Sequence, residues 1–473
     1  MKPDSAPTMG PIVDLVERAR AAQKIANEYT QERVDELVCA AGWAILEPTR
    51  NRELAALAVA QTGVGNEADK VRKNHRKTLG LLRDLKGAKS VGVIARHDDT
   101  GLIEIARPVG VVCAVTPSTN PGATPANKII NALKGRNAVI VAPSPKGWGT
   151  AQRLIEHIHA EFDRIGAPRD LVQVLPLPIN KQATADLMAL CDLVVATGSQ
   201  ANVHAAHTSG TPAFGVGAGN VAGIVDETAN LAQAADRIVR SKTFDNATSC
   251  SSENSLVVVQ PVRQGLLSEL KSRGAHLLSA EQAAHLQRVM WPNGKLSADV
   301  IGKSAQVIAE LAGFEALARL SPKILLVDQG PQDVGAAFPY SGEKLSPVLT
   351  LYTVDDFEGA VGMVERIYAW QGAGHSVGLH TQRHERAQVL GERLPVSRVI
   401  VEQAHCSATG GSFDNGLPFS LSMGCGTWGG NNFSDNMNYR HYINITRVSL
   451  PIPERIPSED DIFGTYFKKY GVA

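Results

Sequence analysis

The chain has 473 residues, 44% of them hydrophobic and 20% charged, and lysine plus arginine equal aspartate plus glutamate at 47 each. This composition excludes disordered and fibrous classes and predicts a globular protein with two large domains. Because the net charge is zero, no overall field favours nucleic acid or an anionic membrane, so we expect small molecules and further copies of the chain as partners.

Helical spacing of apolar residues dominates the first part of the chain. It extends over residues 11–45 and continues over 51–82, which predicts a mostly helical N-terminal region. Two short strands separated by a charged turn at 97–101 then predict a β-hairpin at 90–107 that projects from its domain.

From Pro108 onward, short β-branched runs alternate with helices. The first series predicts strands at 110–115, 138–142, 171–175 and 193–196. The second series begins after Asp226 and predicts strands near 255–259, 324–327 and 396–401. Alternation of this kind specifies parallel sheets covered by helices on both faces. We therefore predict an α/β protein with two Rossmann-like open-sheet domains and an active site between them.

Three loops at predicted strand ends carry small polar residues. They lie at 116–121, 142–146 and 197–199. In open α/β sheets, ligands collect at the carboxyl ends of the strands, where helix N-termini and free amides meet phosphates. Each loop alone is compatible with an ordinary turn, and the GxGxxG fingerprint is absent. Together the three loops favour a phosphate-bearing ligand.

Cys250 differs from the other five cysteines because small polar residues surround it in sequence. Access through Ser249, Ser251 and Ser252 makes its thiol a candidate nucleophile, and the alternative is a small buried hydrophobe. The cysteines show no CxxC spacing, which predicts reduced thiols and no metal site. No apolar run approaches a membrane span and residues 1–10 lack a signal-peptide layout, so we expect a cytoplasmic protein.

Several long segments resemble the aldehyde dehydrogenase superfamily, and specifically its coenzyme A-acylating branch. In the family's order they are 107–121, 135–143, 244–250 (Phe-Asp-Asn-Ala-Thr-Ser-Cys), 343–348, 374–375 and 424–430. The resemblance implies the aldehyde dehydrogenase fold with three parts. They are a dinucleotide-binding domain at 1–225 that carries the hairpin, a catalytic domain at 226–430, and a C-terminal return at 431–473 whose strand pairs with the hairpin to build a homodimer or homotetramer.

The resemblance also implies roles for individual residues. Cys250 would be the nucleophile, with Asn120 and the Cys250 amide as the oxyanion hole, and Glu343 would hold the nicotinamide ribose. The other residues implied at the dinucleotide are Thr116, Pro117, Ser118, Pro143, Ser144, Lys146, Thr197, Gly198, Ser199 and Gly217.

The expected acyl acceptor is coenzyme A. In hydrolytic relatives a glutamate activates water, and Val216 stands at the corresponding position here. An apolar side chain cannot act as a base, so water is not activated. The thiol of coenzyme A is therefore expected to accept the acyl group from Cys250. His375 matches a histidine typical of the acylating branch. It either assists proton transfer involving the thiol or is a hydrogen-bonded structural histidine.

Cofactor and substrate preferences follow from smaller signals. Pro145 occupies the position where NAD-selective relatives carry an acid, so NADP is expected, with NAD also accepted; Lys146 either pairs with the 2′-phosphate or is simply solvated. Segments 409–423 and 436–445 resemble members that act on sulfoacetaldehyde, with succinate semialdehyde and acetaldehyde as alternative aldehydes. Loop 405–415 offers donors for an anionic tail. A catalytically silent homologue is the competing class, and the joint presence of Cys250, Asn120 and Glu343 weighs against it.

Overall fold

The structure, a computed structural model, describes residues 9–217 and 219–471. Residues 1–8 lie outside the described residues, and they include most of the segment 1–10 on which the signal-peptide expectation rests. The α-helices are α1 (Met9–Ala26), α2 (Gln31–Leu46), α3 (Pro48–Thr62), α4 (Glu67–Leu85), α5 (Ala123–Lys134), α6 (Trp148–Ile165), α7 (Lys181–Leu190), α8 (Gln200–His207), α9 (Leu231–Thr243), α10 (Gln260–Ser272), α11 (Ala280–Met290), α12 (Ala305–Leu311), α13 (Glu315–Ala318), α14 (Phe357–Trp370), α15 (Arg386–Arg393), α16 (His405–Ala408) and α17 (Glu459–Tyr470).

The β-strands follow the same chain order. They are β1 (Gly92–His97), β2 (Leu102–Pro108), β3 (Val111–Thr116), β4 (Ala138–Pro143), β5 (Val172–Val174), β6 (Leu193–Thr197), β7 (Ala213–Val216), β8 (Val221–Val225), β9 (Glu253–Val259), β10 (Ala275–Leu277), β11 (Ile324–Gln329), β12 (Val348–Val354), β13 (Val377–His380), β14 (Val399–Val401) and β15 (Ile443–Ser449).

A five-stranded parallel sheet has the order β5-β4-β3-β6-β7. Strands β3 and β4 are buried along their whole length because helices cover both faces, which explains their continuous apolar sequences. All four predicted strands of this series are confirmed, and β7 was not predicted because its sequence, Ala-Phe-Gly-Val, holds a single β-branched residue. Strand order reverses between β3 and β6, which opens a crevice at their carboxyl ends.

A seven-stranded parallel sheet has the order β10-β11-β12-β9-β8-β13-β14. The strands predicted near 255–259, 324–327 and 396–401 are confirmed as β9, β11 and β14. Strand β8 pairs with β9 and β13, so the chain enters this sheet before residue 226, while the division into domains at 225/226 stays a prediction. The α/β class with two parallel sheets is confirmed.

The predicted hairpin is confirmed as the antiparallel pair β1 and β2. The predicted C-terminal strand is β15, which extends the ribbon by pairing with β2 from Ile443 opposite Pro108 to Ser449 opposite Leu102. Six of the seven residues of β15 are exposed, so this three-stranded ribbon stands away from the two cores. Among the described helices, none is long and apolar enough to cross a membrane.

Candidate active site

Cys250 lies in the loop that joins α9 to β9. Just before it, Asp245, Asn246 and Ala247 have φ angles of 50°, 54° and 59°, in the left-handed region that L-residues enter at a cost. The N-terminal end of α4 holds this turn. The Asn66 amide donates to Asp245 Oδ1 at 2.9 Å, and the Asp245 amide donates to Asp69 Oδ2 at 2.8 Å. The shape of the Cys250 loop therefore depends on a helix far away in sequence.

A buried lysine on α4 links this turn to Asn120. Lys73 Nζ lies 2.5 Å from Asp245 Oδ2 and 2.7 Å from Asn120 Oδ1, and Lys70 Nζ lies 3.2 Å from the same Asp245 oxygen. Burial opposes ionisation of Asp245, but Lys73 and Lys70 outweigh it and hold its pKa below the usual value. Because Lys73 occupies the Asn120 oxygen, the Asn120 NH₂ group is left to donate elsewhere. That is the orientation an oxyanion donor needs.

Gly219 packs directly against the Cys250 peptide. A Cβ atom at this position would lie 2.4 Å from the Cys250 carbonyl oxygen and 3.0 Å from the His375 ring, so only glycine fits without a shift. The Gly219 amide donates to Glu343 Oε1 at 3.3 Å. Glu343, from the loop before β12, and Cys250 therefore both contact Gly219.

The electrostatic surroundings keep the resting thiol protonated. Cys250 is partly exposed, yet burial raises its pKa and the nearby Glu343 raises it further, while Arg398 opposes the shift. Burial also raises the pKa of Glu343 to about 8, against the opposing effects of the Gly219 amide, Lys242 and Lys344. A proton acceptor or an added positive charge is therefore needed to form the thiolate.

His375 is buried and neutral. Burial, Arg398 and His405 hold its pKa well below the usual value. Its Nδ1 lies 2.7 Å from Ser376 Oγ, and its Nε2 has no hydrogen-bond partner among the described residues. The His375 ring packs against Gly219, which in turn packs against the Cys250 peptide.

The three predicted phosphate loops meet at the carboxyl edge of the five-stranded sheet. Thr116 lies opposite Pro143 at the ends of β3 and β4, and Pro117, Ser118 and Ser144 follow directly. Thr116 Oγ1 and Ser144 Oγ are buried without a partner among the described residues. Two unpaired hydroxyls beside the crevice between β3 and β6 suit a phosphate-bearing dinucleotide.

The third loop begins where β6 ends. Thr197 Oγ1 lies 2.9 Å from Ser422 Oγ, Gly198 has a φ of 157°, and the Ser199 side chain caps α8 by accepting from the Asn202 amide at 3.3 Å. Gly217 follows β7 at the same edge. Lys146 is exposed after β4 and has no ion pair among the described residues. Glu343 contacts the Gly219 amide, two residues further along the chain than Gly217.

A cavity of about 570 Å³ reaches Asn120 and Ser249, the chain neighbour of Cys250. Cys406, Ser407 and Phe413 of loop 405–415 line it, together with residues of α4. The sequence interpretation did not assign α4 any role in the site. The available signal was the cluster of basic residues between positions 70 and 77.

Comparison with known proteins agrees with this arrangement. The model of the aldehyde dehydrogenase family matches residues 10–287. The chain is 61% identical over 460 residues to a sulfoacetaldehyde dehydrogenase (acylating) of Cupriavidus necator, covering 97% of this chain and 93% of the relative. It is 44% identical to a sulfoacetaldehyde dehydrogenase (acylating) of Bilophila wadsworthia, covering 98% of this chain and 100% of the relative. The crystal structure of an acetylating aldehyde dehydrogenase from Geobacillus thermoglucosidasius superposes with a TM-score of 0.90 at 36% identity, covering 95% of this chain and 98% of that chain. The chain belongs to the aldehyde dehydrogenase family, and the resemblance to its acylating branch is confirmed.

Proposed function

We propose that this chain is a coenzyme A-acylating aldehyde dehydrogenase whose substrate is sulfoacetaldehyde. In the oxidative direction, aldehyde, coenzyme A and NAD(P)⁺ give acyl-coenzyme A, NAD(P)H and a proton. The observation that carries the proposal is that the Cys250 loop is tied through Asp245 and Lys73 to the Asn120 amide, beside a cavity lined by Asn120 and by Ser249, the chain neighbour of Cys250. The relatives with the acylating activity in their names support the choice of reaction.

In the first step, the Cys250 sulfur attacks the aldehyde carbon and the thiol proton passes to solvent, where it becomes the proton released in the overall reaction. A carbon–sulfur bond forms and the carbonyl π-bond breaks, so negative charge collects on oxygen. The Asn120 NH₂ group, oriented by Lys73, and the Cys250 amide would donate to that oxygen. A donor held in place before the reaction stabilises this charge without reorganising.

A nicotinamide dinucleotide supplies the hydride acceptor for the oxidation, and Thr116, Ser144, Thr197 and Glu343 are the residues that would hold it. We propose NADP, with NAD also used, because Pro145 leaves no acid at the position that NAD-selective relatives use. Exposed Lys146 follows it and would pair with a 2′-phosphate. Thr116 and Ser144 contribute the two unpaired hydroxyls.

The acyl group then remains on Cys250 as a thioester. Val216 is buried at the end of β7, at the position of the water-activating glutamate of hydrolytic relatives, and provides no base. The coenzyme A sulfur would attack the thioester carbon, and the Cys250 sulfur would leave and recover a proton. We infer that neutral His375 supports the Gly219–Cys250 contact, since its low pKa makes it a weak proton acceptor.

The assembly and location of the enzyme are also proposals. We propose a homodimer or homotetramer built through the ribbon of β1, β2 and β15, because the outer edges of β1 and β15 are unpaired within the described part of this chain. We propose a cytoplasmic location, as expected for a chain whose six cysteines are all free.

Rapid mixing with and without coenzyme A tests the reaction. With sulfoacetaldehyde and NADP alone, we expect a burst of about one equivalent of NADPH per site and then very slow turnover; coenzyme A restores steady turnover. Cys250→Ala abolishes the burst and retains dinucleotide binding, because the thiol forms the covalent intermediate but does not hold the cofactor. Fast multiple turnover to the free acid without coenzyme A would place the chain among hydrolytic enzymes.

A substrate panel separates the remaining alternatives. Sulfoacetaldehyde, succinate semialdehyde and acetaldehyde are compared by kcat/KM, each with coenzyme A and with NADP or NAD. We expect the highest value for sulfoacetaldehyde. A higher value for succinate semialdehyde would change the proposed substrate, and no reduction with any aldehyde would indicate a catalytically silent homologue.

A further inference from the structure

The cavity that reaches Asn120 has an unusual charge distribution. Six of its lining residues are basic, and no Asp or Glu is among the described residues that line it; the basic residues are Arg52, Arg72, Lys73, His75, Arg76 and Lys77. Phe244, Phe413 and Leu421 supply apolar walls. A basic cavity with apolar walls favours a small anionic ligand, because charge interactions strengthen where water is partly excluded.

Three of these six cations already have other partners, and Arg52 and His75 are exposed. Lys73 is paired with Asp245. Lys77 Nζ donates to the carbonyl oxygens of Gly410 at 2.8 Å and Gly411 at 3.2 Å, and burial lowers its pKa to about 7. Arg72 is exposed, with Asp69 at 3.6 Å. Lys73 and Lys77 contribute to the field of the cavity, but their ammonium groups are already engaged, and the charge of the exposed Arg72 is screened by solvent.

Arg76 is the half-buried cation of this cavity that has no carboxylate within 4.0 Å among the described residues. Its Nη2 donates to Ser412 Oγ at 2.5 Å, and Ser412 in turn bonds to Asp414. Its guanidinium carbon lies 5.2 Å from the centre of the Phe413 ring, and its Nε is buried without a partner. Partly buried charges are normally paired, so an anion in the cavity would complete this site.

We propose that Arg76 determines specificity by binding the anionic tail of the substrate, the sulfonate of sulfoacetaldehyde, while the aldehyde carbon lies near Asn120. This inference rests on the proposed function. A guanidinium stays charged at every physiological pH and offers paired N–H donors that match two oxygens of a sulfonate. The hydrogen bond to Ser412 and the cation–π contact with the Phe413 ring fix the direction of the guanidinium before the substrate enters.

The first test compares Arg76→Met with Arg83→Met. Arg83 is a matched control because it lies on the same helix, its guanidinium carbon is 5.3 Å from the same Phe413 ring, and it is outside the cavity. Arg76→Met should lower kcat/KM for sulfoacetaldehyde about 10²-fold, mainly through KM, and change the value for acetaldehyde less than about threefold. Arg76→Lys should recover part of the loss, and Arg83→Met should leave the ratio between the two aldehydes unchanged. An unchanged ratio in folded Arg76→Met would overturn the proposal.

The second test does not depend on the proposed substrate or on turnover. Ethanesulfonate, which has the sulfonate but no aldehyde, should slow the alkylation of Cys250 by iodoacetamide in the wild type and in Arg83→Met but not in Arg76→Met. This pattern would support the anion site even if the wild type failed to oxidise sulfoacetaldehyde, in which case only the proposed function would fail. Absence of protection in the wild type, or equal protection in all three proteins, would refute the role of Arg76.

Discussion

Lys73→Met tests whether the α4 lysine positions Asn120 for catalysis. Methionine keeps most of the length of the lysine side chain but removes the ammonium group that bridges Asp245 Oδ2 at 2.5 Å and Asn120 Oδ1 at 2.7 Å. The Asn120 amide then loses its anchor and can rotate its oxygen toward the substrate. We expect a lower kcat with little change in KM for the aldehyde.

The structure sets the size of the effect. A hydrogen bond to a charged group is worth about 1.5–3 kcal/mol, which corresponds to roughly a 10- to 150-fold loss of the correct Asn120 orientation. Removing the donor altogether in Asn120→Ala should cost about 10²- to 10³-fold in kcat. Lys73→Met should also lower the free energy of unfolding by about 3 kcal/mol, at the low end for a broken buried pair because Lys70 still neutralises Asp245.

A double-mutant cycle on kcat is the decisive assay. Formation of the reduced dinucleotide is measured for the wild type, Lys73→Met, Asn120→Ala and the double variant, with thermal unfolding recorded in parallel. If Lys73 acts through Asn120, then Lys73→Met lowers kcat by less than about threefold once Asn120 is alanine. Independent, multiplicative losses would refute the positioning role.

Two further predictions concern the thiol and the assembly. Because the charge of Glu343 raises the pKa of Cys250, Glu343→Gln should lower that pKa and speed alkylation of Cys250 by iodoacetamide at a fixed pH above 8, where Glu343, whose own pKa is about 8, is ionised. Equal rates in both proteins at that pH would argue against this coupling. Because the ribbon leaves two unpaired edges among the described residues, light scattering of dilute protein should report a dimer or tetramer, and a stable monomer would contradict the proposed assembly.

Much of the architecture was determined by local sequence. Buried parallel strands need apolar side chains on both faces, so β3 and β4 appear in the sequence as continuous apolar runs whatever surrounds them. The hairpin is marked by its charged turn, and Cys250 by its small polar neighbours, because these features act within a few residues. Strands β7 and β10 hold at most one β-branched residue each, so they lack the local signal that marks the equally short β5 and β14.

Only the tertiary structure decided how α4 contributes to the site. Its sequence is rich in basic residues, which predicts a solvated helix, yet Lys70, Lys73 and Lys77 turn inward. Lys70 meets Asp245 across 175 positions of sequence, and Arg76 meets Ser412 across 336. The raised pKa values of Cys250 and Glu343 likewise depend on burial, and that of Cys250 also depends on the nearby Glu343. Such contacts join distant parts of the chain, so no local periodicity or spacing encodes them, and they exist only once both sheets and α4 have packed together.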